Sequence, residues 1–223
     1  MQSLPRIIRH TLGTNRISPQ ALLFARTMAS HKQQTLIQAI KHDHQEINDY
    51  YDQFVKASGN IDAQERWARQ LSWEVARHAV GEEIVVYPLM EQCLGEKGAK
   101  LADKDRADHM AVKKQLYDLE SMTVGSKNHA NLLESIMADL RHHIADEEKN
   151  DLPDLESALG EDGSLDAASR FARTKQFAPT RAHPSAPDKP PFENLAGFLA
   201  APLDKLKDVF SKFPTEEMKA NMK

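Results

Sequence analysis

Apolar positions recur at steps of three and four through the middle of the chain, the spacing of a helix with one buried stripe. A first stripe runs Ile37, Ile40, His44, Ile47, Tyr51, Phe54. A second runs Trp67, Leu71, Val75, His78, Glu82, Val85, Leu89, with Asp62 and Glu65 ahead of it in a capping-box pattern. A third runs Leu101, Asp105, His109, Val112, Leu116, Leu119, and a fourth Leu133, Ile136, Leu140, His143, Glu147. The stripes are separated by Ser58-Gly59-Asn60, by Leu94 to Gly98 and by Gly125-Ser126. Connections this short predict antiparallel neighbours, and so an all-α, up-down-up-down four-helix bundle.

Outside residues 33–173 the pattern changes. Residues 1–42 hold no Asp or Glu but carry six Arg and Lys residues among scattered Ser and Thr. Basic, Ser-rich and acid-free is the composition of a mitochondrial transit peptide, here residues 1–30. The expected location is the mitochondrial matrix, with the cytoplasm as the alternative. Residues 174–193 form a proline-dense linker, with Pro179, Pro184, Pro187, Pro190 and Pro191. Residues 194–223 then form an amphipathic tail, its apolar positions spaced by three and four over 194–213. Lys and Asp alternate along its polar side, which favours docking on the body of the protein over a membrane-surface or partner contact.

Composition narrows the function classes. A net charge of −4 argues against a general nucleic-acid binder. There is no apolar run long enough to cross a membrane. A single cysteine, Cys93, excludes an internal disulfide framework and a cysteine zinc site.

The chemistry lies in the stripes themselves. His44, His78, His109 and His143 occupy core-facing positions, and so do Glu82 and Glu147. Burying an ionised carboxylate without a positive partner is costly. Two of them, each one helical turn from a histidine, call for a shared cation. A repeat strengthens this reading. His44 and His109 are 65 residues apart, as are His78 and His143, Glu82 and Glu147, Glu83 and Glu148, and Pro88 and Pro153. Asp43 and Asp108 precede the two lone histidines. Two pseudo-repeated helical hairpins therefore bring four imidazoles and two carboxylates to one centre. Residues four apart on a helix are about 6 Å apart along its axis, so each His–Glu pair reaches the same or adjacent metals. Nitrogen and oxygen donors with open positions suit two irons, with manganese or zinc as alternatives. Glu83 and Glu148 are rotated away, towards an outer shell or solvent, and Asp43 and Asp108 either support the site or are solvated. Tyr50, Tyr51, Phe54 and Trp73 either wall the pocket or fill the core.

The twice-repeated D-H and H-x-x-x-E-E motif, with proline ten residues after its histidine, resembles the hemerythrin-like (HHE cation-binding) family over about residues 35–153. The resemblance implies a bundle holding a non-haem di-iron centre with His44, His78, Glu82, His109, His143 and Glu147 as its metal ligands. It implies binding or sensing of a small ligand (O2, NO or peroxide) or of iron. A scavenging enzyme and an iron buffer are the alternatives, and binding is preferred to turnover. Lys113 stands where oxygen carriers have a further histidine, and the repeat favours Glu147 where carriers would use Glu148. Both departures count against reversible oxygen carriage.

Overall fold

The computed structural model describes residues 34–186 and 192–222, the side chains of 192–199 apart. The expected transit peptide lies outside the described residues. Helix α1 spans Leu36–Lys56 and starts in a reciprocal capping box between Thr35 and Gln38. Helix α2 spans Ile61–Gly81. Its cap is Asn60, whose side chain accepts from Ala63 N–H at 3.1 Å, rather than the Asp62–Glu65 pair expected from sequence. Helix α3 spans Tyr87–Glu120, and α4 spans Lys127–Asp146 behind the cap Ser126. Helix α5 spans Leu152–Phe177. Helices α6 (Phe192–Asp208) and α7 (Glu216–Ala220) follow.

Two wide turns interrupt the helices where the paired glutamates sit. Glu82–Val86 and Glu147–Asp151 are single π-helical turns, again 65 residues apart. Tyr87 N–H donates to Glu82 C=O and Leu152 N–H to Glu147 C=O, five residues back. Pro88 and Pro153 follow at once. A proline has no N–H and collides with the carbonyl four residues earlier, and the wider turn relieves that collision.

Helix α3 reverses direction within itself. Gly95 has φ 58° and ψ −134°, a conformation only glycine adopts without strain. As a result Tyr87 and His109 touch at 3.1 Å, whereas 22 residues of straight helix would hold them about 33 Å apart. The second hairpin, α3 onto α4, thus mirrors the first, α1 onto α2. The repeat continues to Gly160, 65 residues after Gly95, where α5 reverses with φ 66° and ψ 177°. Residues 161–177 then pack against α1 and α2 as a fifth long helical segment, which the four-helix reading omitted. Leu165, Ala168 and Phe171, spaced by three, were its signal.

The apolar residues divide into two cores with a polar layer between them. One holds Ile47, Phe54, Leu71, Val112, Leu116 and Leu140. The other holds Ile40, Val85, Val86, Met90, Leu155 and Phe171. On α1, His44 falls between Ile40 and Ile47. His78 on α2 falls between Val75 and Val85 of the wide turn that follows. The polar layer is therefore sealed above and below by hydrocarbon.

Candidate metal centre

All six residues singled out by the repeat are buried in that layer, none more than 3% exposed. Each hairpin contributes two imidazoles and one carboxylate. The rings pair across the helices. His44 and His78 meet edge to face at 4.9 Å between centroids, and His109 and His143 do so at 4.8 Å. The glutamates link the two pairs. Glu82 Oε2 lies 3.2 Å from His78 Nε2 and 3.4 Å from His109 Nε2. Glu147 Oε2 lies 3.4 Å from His44 Nε2 and 4.0 Å from His143 Nε2. His44, His78 and Glu82 each offer an atom within 4.8 Å of the others, and Glu82, His109 and His143 do likewise.

The outward nitrogens of His44, His78 and His109 each have a carboxylate within hydrogen-bonding distance, and that of His143 faces two carboxylates without a hydrogen bond. Asp43 Oδ2 lies 3.2 Å from His78 Nδ1, and Glu148 Oε1 lies 2.8 Å from His44 Nδ1. Glu83 Oε1 lies 3.3 Å from His109 Nδ1. Asp108 Oδ2 and Asp105 Oδ1 lie 3.7 and 3.8 Å from His143 Nδ1. The arrangement obeys the repeat: the aspartates serve the histidine of their own hairpin, the glutamates that of the other. Such contacts hold a ring's tautomer and orientation, leaving the inward nitrogen as a donor to a metal.

A lysine backs each of these carboxylates. Lys175 pairs with Asp43 and Lys113 with Glu83. Lys41 lies 3.4 Å from Glu148, and Lys104 lies 3.2 Å from Asp108. The lysines offset part of the outer negative charge, and the inner pair Glu82 and Glu147 has no lysine beside it among the described residues. Lys113 thus acts as a counter-ion at the position where carriers have a histidine. Lys175 was missed by sequence reading, since it lies beyond the matched motif.

The inner groups are poorly satisfied by protein alone. Both oxygens of Glu82, both oxygens of Glu147 and Nε2 of His44 make no hydrogen bond. Burial pushes the Glu147 carboxyl well above the usual range, and the charges of Glu82 and Asp105 add to it. Burial would also raise Glu82, but His78, His109 and His44 outweigh it and hold Glu82 low. Burial would lower His78, yet Glu82 and Asp43 push it up to about 10. His44 is lowered to about 4 and His143 to about 3, by burial and by the neighbouring imidazoles His78 and His109 respectively. Nitrogen and oxygen donors converging without hydrogen-bond partners fit a metal.

The centre is not symmetric. A cavity of about 210 Å³ between α3 and α4 is lined by Asp108, His109, Val112, His142 and His143. Tyr87 is fully buried and sets its hydroxyl 3.1 Å from His109 Nε2, while its repeat partner is Leu152. Phe171 meets His78 edge-on at 6.0 Å. Neither residue was singled out from sequence. The aromatics that were lie elsewhere. Tyr50 stacks on Trp67 and Phe54 packs on His129 in the first apolar core, and Trp73 meets Phe213 of the C-terminal segment. His42 and His142 are exposed, as is Cys93.

A helical bundle with a buried, paired His-carboxylate layer defines a class of metal-binding domain. The Hemerythrin HHE cation binding domain matches residues 35–155. An uncharacterized hemerythrin-like protein of Schizosaccharomyces pombe is 48% identical over 187 residues, covering 84% of this chain and 92% of that protein. No solved structure matches the chain. The chain belongs to the hemerythrin HHE cation-binding family.

Proposed function

We propose that this protein holds a non-haem di-iron centre and uses it to bind or sense a small ligand such as O2, NO or peroxide. One observation carries the reading: Glu82 and Glu147 are buried without hydrogen bonds, each beside one histidine of either pair. His44 and His78 would hold one metal, His109 and His143 the other, with the two glutamates shared between them. Bound there, iron would supply a redox-active cation with positions open to a small ligand. The chain's own part is to hold six donors in a dry layer, to orient the imidazoles through the outer carboxylates, and to admit a small molecule. The cavity with His109 and His143 on its wall supports that last role. Lys113 adds a buried positive charge instead of a fifth imidazole, which favours sensing or binding over reversible carriage.

The test is metal analysis with an absorption spectrum taken without air and then in air. Two irons per chain and new near-ultraviolet absorption on oxidation are expected. A single metal per chain, or full iron retention after His78→Ala and His143→Ala, rejects the reading. Peroxide or nitric oxide consumed catalytically rather than once per centre would assign an enzyme instead, and many irons taken up per chain would assign a buffer. We further propose that residues 1–30 direct the protein to mitochondria. A fluorescent fusion that stays cytoplasmic with those residues attached rejects that.

A further inference from the structure

The C-terminal segment docks the wrong way round for an ordinary amphipathic helix. Asp204 and Asp208 face the bundle, while Glu216 and Glu217 farther on are exposed. Asp204 is 1% exposed and accepts from Thr180 N–H and Arg181 N–H, both at 3.1 Å, and from His183 at 2.8 Å. Asp208 accepts from Arg69 at 2.5 Å and from Arg181 at 2.8 Å. The apolar side therefore points outward. Leu203 is 65% exposed, Leu206 59%, Val209 75% and Phe210 83%. Phe177, at the end of α5, is 55% exposed, and Lys205 stands over its ring, so it extends the same patch.

The charges are sorted in the same way. Every exposed residue between Pro202 and Lys212 is apolar or a lysine. The Lys–Asp alternation of the sequence is thus undone by folding: the aspartates are spent on Arg69 and Arg181, and the lysines remain outside. Lys212 is held by Asp62 and Glu65 at 3.1 and 2.9 Å, but Lys205 and Lys207 flank the apolar residues without an ion pair among the described residues. Large apolar side chains flanked by lysines, with no exposed acid between them, match a helix lying in the headgroup region of an anionic bilayer. A second copy of the chain is a poorer occupant. A stable interface takes roughly 20–30 residues a side, and this patch offers only about two turns of chain, with lysines at its edge.

We propose that the outward side of the last turns of α6 and the turn after it, around Leu206 and Phe210, is a docking surface for an anionic lipid membrane. It sits at the periphery and leaves the metal layer untouched.

The experiment is flotation of the full chain with vesicles of phosphatidylcholine alone and of phosphatidylcholine mixed with phosphatidylglycerol. The protein should float with the anionic vesicles, and less so as salt is raised. Phe210→Glu and Leu206→Glu should abolish flotation. Lys205→Gln and Lys207→Gln should each weaken it about fivefold. These side chains are exposed, so the variants should keep the wild-type circular dichroism and metal content, which report the bundle separately. Wild-type protein that floats with neither vesicle, or Phe210→Glu that floats as well as wild type, overturns the proposal. So does a wild-type dimer in solution that Phe210→Glu turns into a monomer, which would assign the face to a second copy.

Discussion

Glu148 Oε1 lies 2.8 Å from Nδ1 of His44, 104 residues earlier in the chain. With its repeat counterpart, Glu83 on His109, this contact ties each hairpin's lone histidine to the other hairpin's wide turn. Removing such a supporting carboxylate commonly costs 10–100-fold in metal affinity. Glu148→Ala should lower affinity by about that factor while keeping two metals per chain, and Glu82→Ala should lose the metals outright. Chelator competition reads both. Equal loss from the two variants would contradict the inner and outer roles assigned here.

Metal removal should cost stability and take up protons. A metal held at a thousand times its Kd adds about 4.1 kcal/mol to the native state. Chelation should therefore lower Tm by several degrees. Loading should displace the proton of His78, pushed up to about 10, and the upward shift of the Glu147 carboxyl acts in the same direction. A metal titration at neutral pH in weak buffer should acidify the solution. A titration that leaves both Tm and pH unchanged contradicts the site.

Lys175 should matter beyond its place outside the matched motif. It is the buried cation between Asp43 and Glu74. Lys175→Met should destabilise the protein by about 3–5 kcal/mol, the range for removing one partner of a buried ion pair. Urea unfolding measures this. A change below about 1 kcal/mol would place the pair with exposed, screened ones.

The two reversal glycines should not tolerate a side chain. Gly95→Ala and Gly160→Ala should each cost of order 1–3 kcal/mol, because their backbone angles are strained for other residues. Gly163→Ala is the control. It lies in ordinary helix, and its added carbon would meet Leu159 no closer than 3.4 Å. It should be neutral or gain up to about 1 kcal/mol.

Acid should release the C-terminal segment. Burial would raise Asp204, but His183 and Arg181 outweigh it and hold its carboxyl below the ordinary 3.8. A lowered folded value means that the stabilising contribution is complete above the unfolded value and lost as pH falls through the folded one. Trp73, in edge contact with Phe213 at 6.3 Å, reports the docking. Its fluorescence should shift below about pH 4. The Asp204→Asn variant should lose that transition.

Most of the buried His–Glu layer was legible in sequence because helical periodicity assigns a face to every residue. His44, His78, His109 and His143 fell on core faces at matched distances, and the same rule rotated Glu83 and Glu148 away from Glu82 and Glu147. Tyr87 and Phe171 escaped notice because an aromatic on a core stripe looks the same whether it packs on leucine or on imidazole. Helix α5 escaped because the repeat was followed only to Pro153, although Gly160 continues it.

By itself, the sequence determined the helices, their hairpin pairing and the six inward-facing His and Glu residues, since these follow from local spacing and an internal repeat. Tertiary packing alone decided which carboxylate backs which imidazole, where a cavity reaches the centre, and which side of α6 meets the bundle. Periodicity places a residue on a face, but only the neighbouring helices decide what that face meets. Asp204 and Asp208 share a polar side with the lysines in sequence, but Arg69, Arg181 and His183 claim the aspartates alone, which turns Leu206 and Phe210 outward.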